Sequence, residues 1–315
     1  MKSAYIFSGI DGLDSIRDRI HVLTLPAVAD RIVQAQKIID RITPDFKLVN
    51  FIASSNEVFK KDITLQTLAV TVVQIGLFDL FQMTDGKPEY LMGCSLGDIA
   101  RTYCAGAVDF DVVVEGSWNY HLSAQKIEGG LYHVKSLDGP LSEVMIQEIR
   151  DQNLYYAVHQ TPQHFLVAGS YENLEKWRAR ESEIKRYRIN PLYDKPLHSP
   201  MMNSTTENIH NLYSHTLKSE DQWKFKMVSS THLKLVNTKE ELLADMTDNF
   251  NSTVLWMQAV QFATHELGVT RFVNVGPGNT LLLFAERTPV NRTIELVNFL
   301  AENPQKLASM ASQSR

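Results

Sequence analysis

The spacing of apolar and polar positions divides the chain into short strands and helices before any single residue is considered. Ala4 to Phe7 reads as a strand, followed by the loop Ser8-Gly9-Ile10-Asp11-Gly12. Val28, Ile32, Ala35, Ile39 and Ile42 recur at helical spacing with charges between them, and Pro44 interrupts the run. Thr64 to Phe81 is the most apolar stretch and predicts a helix buried along a sheet. Gln74 and Asp79 break it as a membrane span. Tyr90 to Gly93 predicts a strand that runs into a helix beginning near Asp98, passing Cys104 and ending at Gly106. Asp109 to Ala124 predicts another helix, with Gly116 as its weak point.

From Gly129 the texture changes. Leu131 to Leu137 alternates as a strand, Pro140 to Gln152 is helical, and Leu154 to Thr161 and Phe165 to Gly169 are strands. Tyr171 to Lys185 is a charged amphipathic helix, and Tyr187 to Leu192 a last strand. That order is βαββαβ, a ferredoxin-like unit inserted whole into a larger α/β chain. The expected division is therefore 1–125 with 196–315 as a large α/β domain around a hydrolase-like parallel sheet. Residues 126–195 form the ferredoxin-like subdomain, with a cleft between the two. Further on come a helix from Met202 to Leu217, a strand from Phe225 to Ser229 and a long helical stretch from Lys239 to Leu267. A strand from Phe272 to Val275 and the turn Gly276-Pro277-Gly278 follow, and the polar tail after Pro304 is expected to fray.

Composition narrows the class. The 315 residues carry a net charge of −5 and no long Lys/Arg tract, which argues against a nucleic-acid partner. Cys94 and Cys104 belong to no CxxC, a reduced pattern, and the N-terminus has no sustained apolar core. The expectation is a soluble cytoplasmic protein with no membrane association. No His or Cys pair has metal-ligand spacing, so no metal site is expected.

The candidate chemistry lies at Gly93-Cys94-Ser95-Leu96-Gly97. A Ser between two glycines at a strand-to-helix turn is the sequence form of a nucleophile elbow: the glycines permit the tight backbone and the hydroxyl is pushed out above the sheet edge. The following helix aims its N-terminal dipole at the same place, which favours a developing oxyanion. Ser95 needs a base. Of ten His residues, His198 is the best candidate, between Pro196 and Pro200 at the exit of the insert, where it would face the cleft. An H-S-P tripeptide is also a plain turn. His133, His159 and His164 read as structural.

Taken in order, these pieces resemble the malonyl-CoA:acyl-carrier-protein transacylases and the acyltransferase domains of fatty-acid and polyketide synthases, over nearly the whole chain. Family G-H-S-L-G-E appears as Gly93 to Asp98, A-G-x-x-D-F as Ala105 to Phe110, and S-P-x-Q-x-V-I-A-G as Thr161 to Gly169. H-S-P-x-M appears as His198 to Met202, and V-G-P-G as Val275 to Gly278. The resemblance implies a Ser95–His198 dyad in a ping-pong acyl transfer, with His198 oriented by a backbone carbonyl at Asn249. It implies an oxyanion hole from the amides of Leu96 and Ile10, and Gln66 lining the site. No permanently bound cofactor is implied. The substrate is an acyl-CoA or phosphopantetheine thioester and the partner an acyl carrier protein, in polyketide or fatty-acid biosynthesis. Arg178, Arg180, Lys185, Arg186 and Arg188 are candidate docking cations, with a solvated helix face as the plainer reading.

Three departures from the family pattern stand out. The first loop is Gly9-Ile10-Asp11-Gly12-Leu13 where members have G-Q-G-S-Q, and Cys94 replaces the His before the nucleophile. Tyr120 stands where malonyl-specific members carry an Arg that pairs with the free carboxylate, and Trp118 is nearby. A Tyr does not neutralise a buried carboxylate, which leaves a malonyl group several kcal/mol short, or roughly 10³-fold. A neutral acyl group is expected. The alternatives are an editing acyl hydrolase of the same fold and a catalytically silent carrier-binding module. An unrelated α/β-hydrolase would need an acid and a His such as Asp245 and His265, about 30 Å apart in one unbroken helix, and is rejected.

Overall fold

The computed structural model describes residues 1–84, 86–298 and 300. Among them the chain forms ten strands: β1 (Lys2–Phe7), β2 (Tyr90–Gly93), β3 (Gly130–Ser136), β4 (Tyr155–His159), β5 (His164–Gly169), β6 (Tyr187–Tyr193), β7 (Lys226–Val228), β8 (Leu235–Val236), β9 (Val269–Asn274) and β10 (Glu295–Asn298). Ala4 to Phe7 are all buried, and such a run needs cover on both faces. β1 accordingly lies inside a six-stranded sheet of order β10-β9-β1-β2-β7-β8, parallel except for the β7–β8 pair. Phe7 stands opposite Gly93 in the register, so the loops after β1 and β2 leave the sheet side by side. Ligand sites of open parallel sheets form at this edge.

The helix Ile63–Thr84 is apolar all round because it is enclosed. Phe78 meets Tyr5 edge-on at 6.1 Å and Phe7 at 5.8 Å between ring centroids. Its span Ile63–Met83 is long and apolar enough to cross a membrane, yet 89% of the span's most apolar window is buried inside the protein. It is a core helix.

β3 to β6 form a second, antiparallel sheet of order β4-β5-β3-β6, the ferredoxin-like arrangement that the spacing predicts. Its residues alternate between two cores, as the two-residue period of a strand requires. Tyr132, Val134, Phe165 and Val167 pack beneath the helices Glu143–Asp151 and Tyr171–Ile184, with Ile149, Leu174 and Trp177. Leu131, Leu166 and Ala168 point the other way and join the core of the larger sheet. One face of the small sheet therefore roofs the edge where the β1 and β2 loops emerge.

The long helix expected over Lys239 to Leu267 is two helices, Lys239–Asn251 and Trp256–His265. Between them Ser252 is extended and Val254 pairs with β4, accepting from the His159 amide at 2.8 Å and donating to Ala157 O at 2.9 Å. A segment that adds to a sheet edge cannot also be helical. The two-residue β8 and the four-residue β10 are too short to show a period in the sequence. The tail after Pro304 lies outside the described residues.

Candidate active site

The turn after β2 is as tight as its glycines imply. A Cβ on Gly97 would lie 2.1 Å from Phe7 O, and one on Gly93 2.5 Å from the Asp98 amide. Cys94 N donates to Phe7 O at 3.0 Å and Asp98 N to Ser95 O at 3.0 Å, which leaves Ser95 in the left-handed region at φ 59°. Held there, its hydroxyl projects from the turn. Leu96 immediately precedes the helix Gly97–Cys104, and Ile10 is the first residue of a short 3-10 turn after β1. Amides at these positions have no partner within their own helix.

His198 also has a left-handed backbone, at φ 57°, and is almost fully buried. Its amide donates to Phe250 O at 3.1 Å. Ser95 Oγ lies 2.7 Å from His198 Nε2, and His198 Nδ1 lies 2.5 Å from Asn249 O. A carbonyl oxygen only accepts, so Nδ1 carries the ring proton and Nε2 is left to accept from the Ser95 hydroxyl. The Asn249 side chain closes the circuit, donating from Nδ2 to Ser95 O at 2.9 Å. Burial lowers the His198 imidazole to about 4, although its hydrogen bond to Asn249 O works in the opposite direction. The ring is neutral at ordinary pH.

Behind the elbow lies a buried ion cluster. Arg101 reaches Asp245 at 2.6 Å, Asp98 at 3.0 Å and Val228 O at 2.7 Å, and Asp245 also accepts from the Ser229 hydroxyl. Asp98 is raised by burial, with Arg101 opposing and Asp245 reinforcing the shift. The cluster ties the elbow helix to β7 and to the helix that carries Asn249. Asp245 is thus committed to Arg101. His265, at the end of the neighbouring helix, takes the Asn291 amide at 3.3 Å. The expected unbroken helix is absent, but these contacts leave neither residue a part in the Ser95 arrangement.

Ser95 and His198 open onto a cavity of about 330 Å³ between the two sheets. Its apolar wall includes Ile10, Leu131, Val158, Leu166, Leu281 and Phe284, and its polar wall includes Asp11, Asp14, His133, Gln160, Tyr193 and Thr280. Cys94 is on the wall too, with a thiol pushed well up by burial and by Asp11 and Asp98. A hollow of about 470 Å³ around Arg31, Asp79 and Lys218 shares no lining residue with it. Its main charges are already paired, Arg31 with Asp79 and Lys218 with Asp109.

The expected residues do not all converge. Ser95, His198, Asn249, Ile10, Leu96 and Cys94 come together. Gln66, Trp118 and Tyr120 are buried but are not on the cavity wall. Trp118 packs on Phe46 and His121, each at 5.3 Å, and Tyr120 on Phe250 at 5.0 Å, one layer behind the His198 amide contact. His133, expected to be structural, is on the wall, as is Asp11. The signal for His133 was its place two residues from Leu131 on one face of β3. Arg178 pairs with Glu175, Arg180 with Glu181, and Arg186 with Glu181 and Glu148, as a solvated, self-paired surface would. Among the described residues no group of three His, Cys, Asp or Glu is placed to hold a metal ion.

Comparison with known proteins bears on this geometry. The family model for the acyl transferase domain matches residues 21–308. The polyketide biosynthesis protein PksE of Bacillus subtilis is 24% identical over 237 residues, covering 73% of this chain and 30% of that one. A phenolphthiocerol synthesis polyketide synthase of Mycobacterium marinum is 23% identical over 260 residues, covering 77% of this chain and 11% of that one. The chain thus spans less than a third of either curated relative. Among solved structures, the malonyl-CoA:ACP transacylase of Synechocystis superposes with a TM-score of 0.81 at 18% identity, covering 98% of this chain and 100% of that one. The malonyl CoA-acyl carrier protein transacylase of Coxiella burnetii gives 0.81 at 17%, covering 100% and 96%. At such identities the likeness shows the fold.

Proposed function

Since this chain belongs to the acyl transferase domain family, we propose that it moves an acyl group from a thioester to an acyl carrier protein through an ester on Ser95. The observation that carries the proposal is the 2.7 Å contact from Ser95 Oγ to a His198 Nε2 whose tautomer is set by Asn249 O. Ser95 Oγ attacks the thioester carbonyl and gives its proton to Nε2. The amides of Leu96 and Ile10 receive the developing oxyanion. The C–S bond breaks, and His198 returns the proton to the leaving thiolate. The carrier's pantetheine thiol then enters, gives its proton to His198 and takes the acyl group, and His198 returns that proton to Ser95 Oγ as the ester breaks. Polyketide assembly is the setting that the relatives' names suggest.

A neutral acyl group suits the site. Among the described residues the cavity wall has no Arg or Lys, and its carboxyl groups are Asp11 and Asp14. A malonyl carboxylate would meet no partner there. The unpaired, buried Cys94 and Cys104 suit a reducing, cytoplasmic setting.

The pH dependence follows from His198. The base works only as neutral imidazole, so the acylation rate should hold level from neutral pH to about 5 and halve near 4. Stopped-flow acylation over this range checks it; an acid limb near 6.5 would contradict the buried, neutral ring. Linkage gives the matching stability effect. With the folded value depressed, the unfolded chain takes up the proton first, so His198 destabilises the fold as pH falls below 6.5 and contributes nothing above it.

Transfer is separated from hydrolysis by following the acyl-enzyme with and without holo-carrier protein. A transferase holds the ester until carrier is added and passes the acyl group on. Steady thiol release into water, unaffected by carrier, would overturn the transfer step.

A further inference from the structure

Asp11 stands where family members have glycine in the first loop, so the pattern predicts no side chain there. In the structure its carboxyl lies on the wall of the cavity onto which Ser95 opens. The point that a methyl group on Gly9 would occupy lies 3.4 Å from Ser95 Cβ and 3.7 Å from Asp11 Oδ1. An acyl group on Ser95 is therefore within reach of this carboxylate. Asp14, also on the wall, is paired with Lys60 at 3.0 Å, whereas among the described residues the side-chain partner of Asp11 is the Thr280 hydroxyl. Burial raises the Asp11 carboxyl, Asp14 adds to the shift, and Thr280 opposes it. A second acceptor comes from the other sheet: Gln160 lines the same cavity, and its Oε1 is buried without a hydrogen-bond partner. The Asp11 carboxyl thus lies on the wall near the acyl group, and among the described residues no Arg or Lys on the wall answers it.

We propose that Asp11 sets the polarity of the acyl group: it rejects acyl groups ending in an anion and favours those carrying a hydrogen-bond donor, hydroxyl or amine, within a few atoms of the carbonyl. This rests on the acyl-Ser95 reading. An anionic end group beside the Asp11 carboxyl meets another acid and no Arg or Lys on the wall, which disfavours it. A donor on the acyl chain pairs with the Asp11 carboxyl, a contact that a plain alkyl chain does not make, and sites built this way discriminate strongly.

The test is the rate of Ser95 acylation by four N-acetylcysteamine thioesters, butyryl, 3-hydroxybutyryl, β-alanyl and malonyl, in the wild type and Asp11→Asn. In the wild type, at least one donor-bearing group should react about fivefold or more faster than butyryl, with malonyl slowest. Comparing 3-hydroxybutyryl with β-alanyl shows whether hydroxyl or amine is preferred. In Asp11→Asn, the malonyl-to-butyryl ratio should rise at least about tenfold. The wild-type ranking reads the proposal even if the variant folds poorly. Butyryl labelling with no donor preference and an unmoved malonyl ratio would overturn the role of Asp11 alone. Labelling by none of the four would overturn the acyl-Ser95 reading, and this inference with it.

Discussion

His198→Ala is expected to slow acylation of Ser95 by at least about 10³-fold at neutral pH. Without Nε2 2.7 Å away, the Ser95 hydroxyl has no acceptor for its proton and stays a weak nucleophile. The residual rate should come from the amides of Leu96 and Ile10 and from binding, which the substitution leaves in place. Because the two residues act as one unit, Ser95→Ala with His198→Ala should be no slower than Ser95→Ala alone. Single-turnover thiol release measures all three. A loss below about tenfold in His198→Ala would mean that another group takes the proton, and His133 on the same wall would be the next to replace.

Arg101→Met should destabilise the protein by about 3–5 kcal/mol in denaturant unfolding. The arginine is wholly buried between Asp98 and Asp245, and without it two carboxylates remain in the core with no cation. The sign of the pH dependence follows. Burial already raises Asp98 and Arg101 opposes that rise, so without Arg101 the Asp98 contribution is intact in acid and lost as pH rises through the raised value. The deficit of Arg101→Met should accordingly shrink at low pH. Replacing all three together, with Asp98→Asn and Asp245→Asn, should recover part of the loss, since no buried charge is left. Arg186→Met, in a more exposed network, should cost far less. Equal losses at Arg101 and Arg186 would contradict the buried-cluster account.

The elbow was legible in the sequence because its geometry needs particular residues. Gly93 and Gly97 have no room for a Cβ, so the pattern around Ser95 reports backbone shape directly. The alternation in the insert was equally plain, since each strand divides its residues between two cores. Asn249 was visible only through resemblance: its contact to His198 Nδ1 is a backbone carbonyl, which any residue supplies. The break at Ser252 was hidden for a related reason. It depends on pairing with β4, nearly a hundred residues away, and local spacing does not report that. Tyr120 stands at the family's Arg position in the chain, but its ring packs on Phe250 and is not on the cavity wall. Asp11 is visible in the sequence only as a departure from the family loop, whereas the fold places its carboxyl on the wall of the cavity that Ser95 opens onto.

The central claim is that Ser95 carries the acyl group. Its most direct test is intact-protein and peptide mass spectrometry after brief exposure to a neutral acyl thioester and, separately, a malonyl thioester. The account predicts one acyl mass added by the neutral donor, mapped to Ser95, absent in Ser95→Ala and discharged by holo-carrier protein, with little or no malonyl adduct. An adduct that persists in Ser95→Ala, or turnover that survives the substitution, would contradict it.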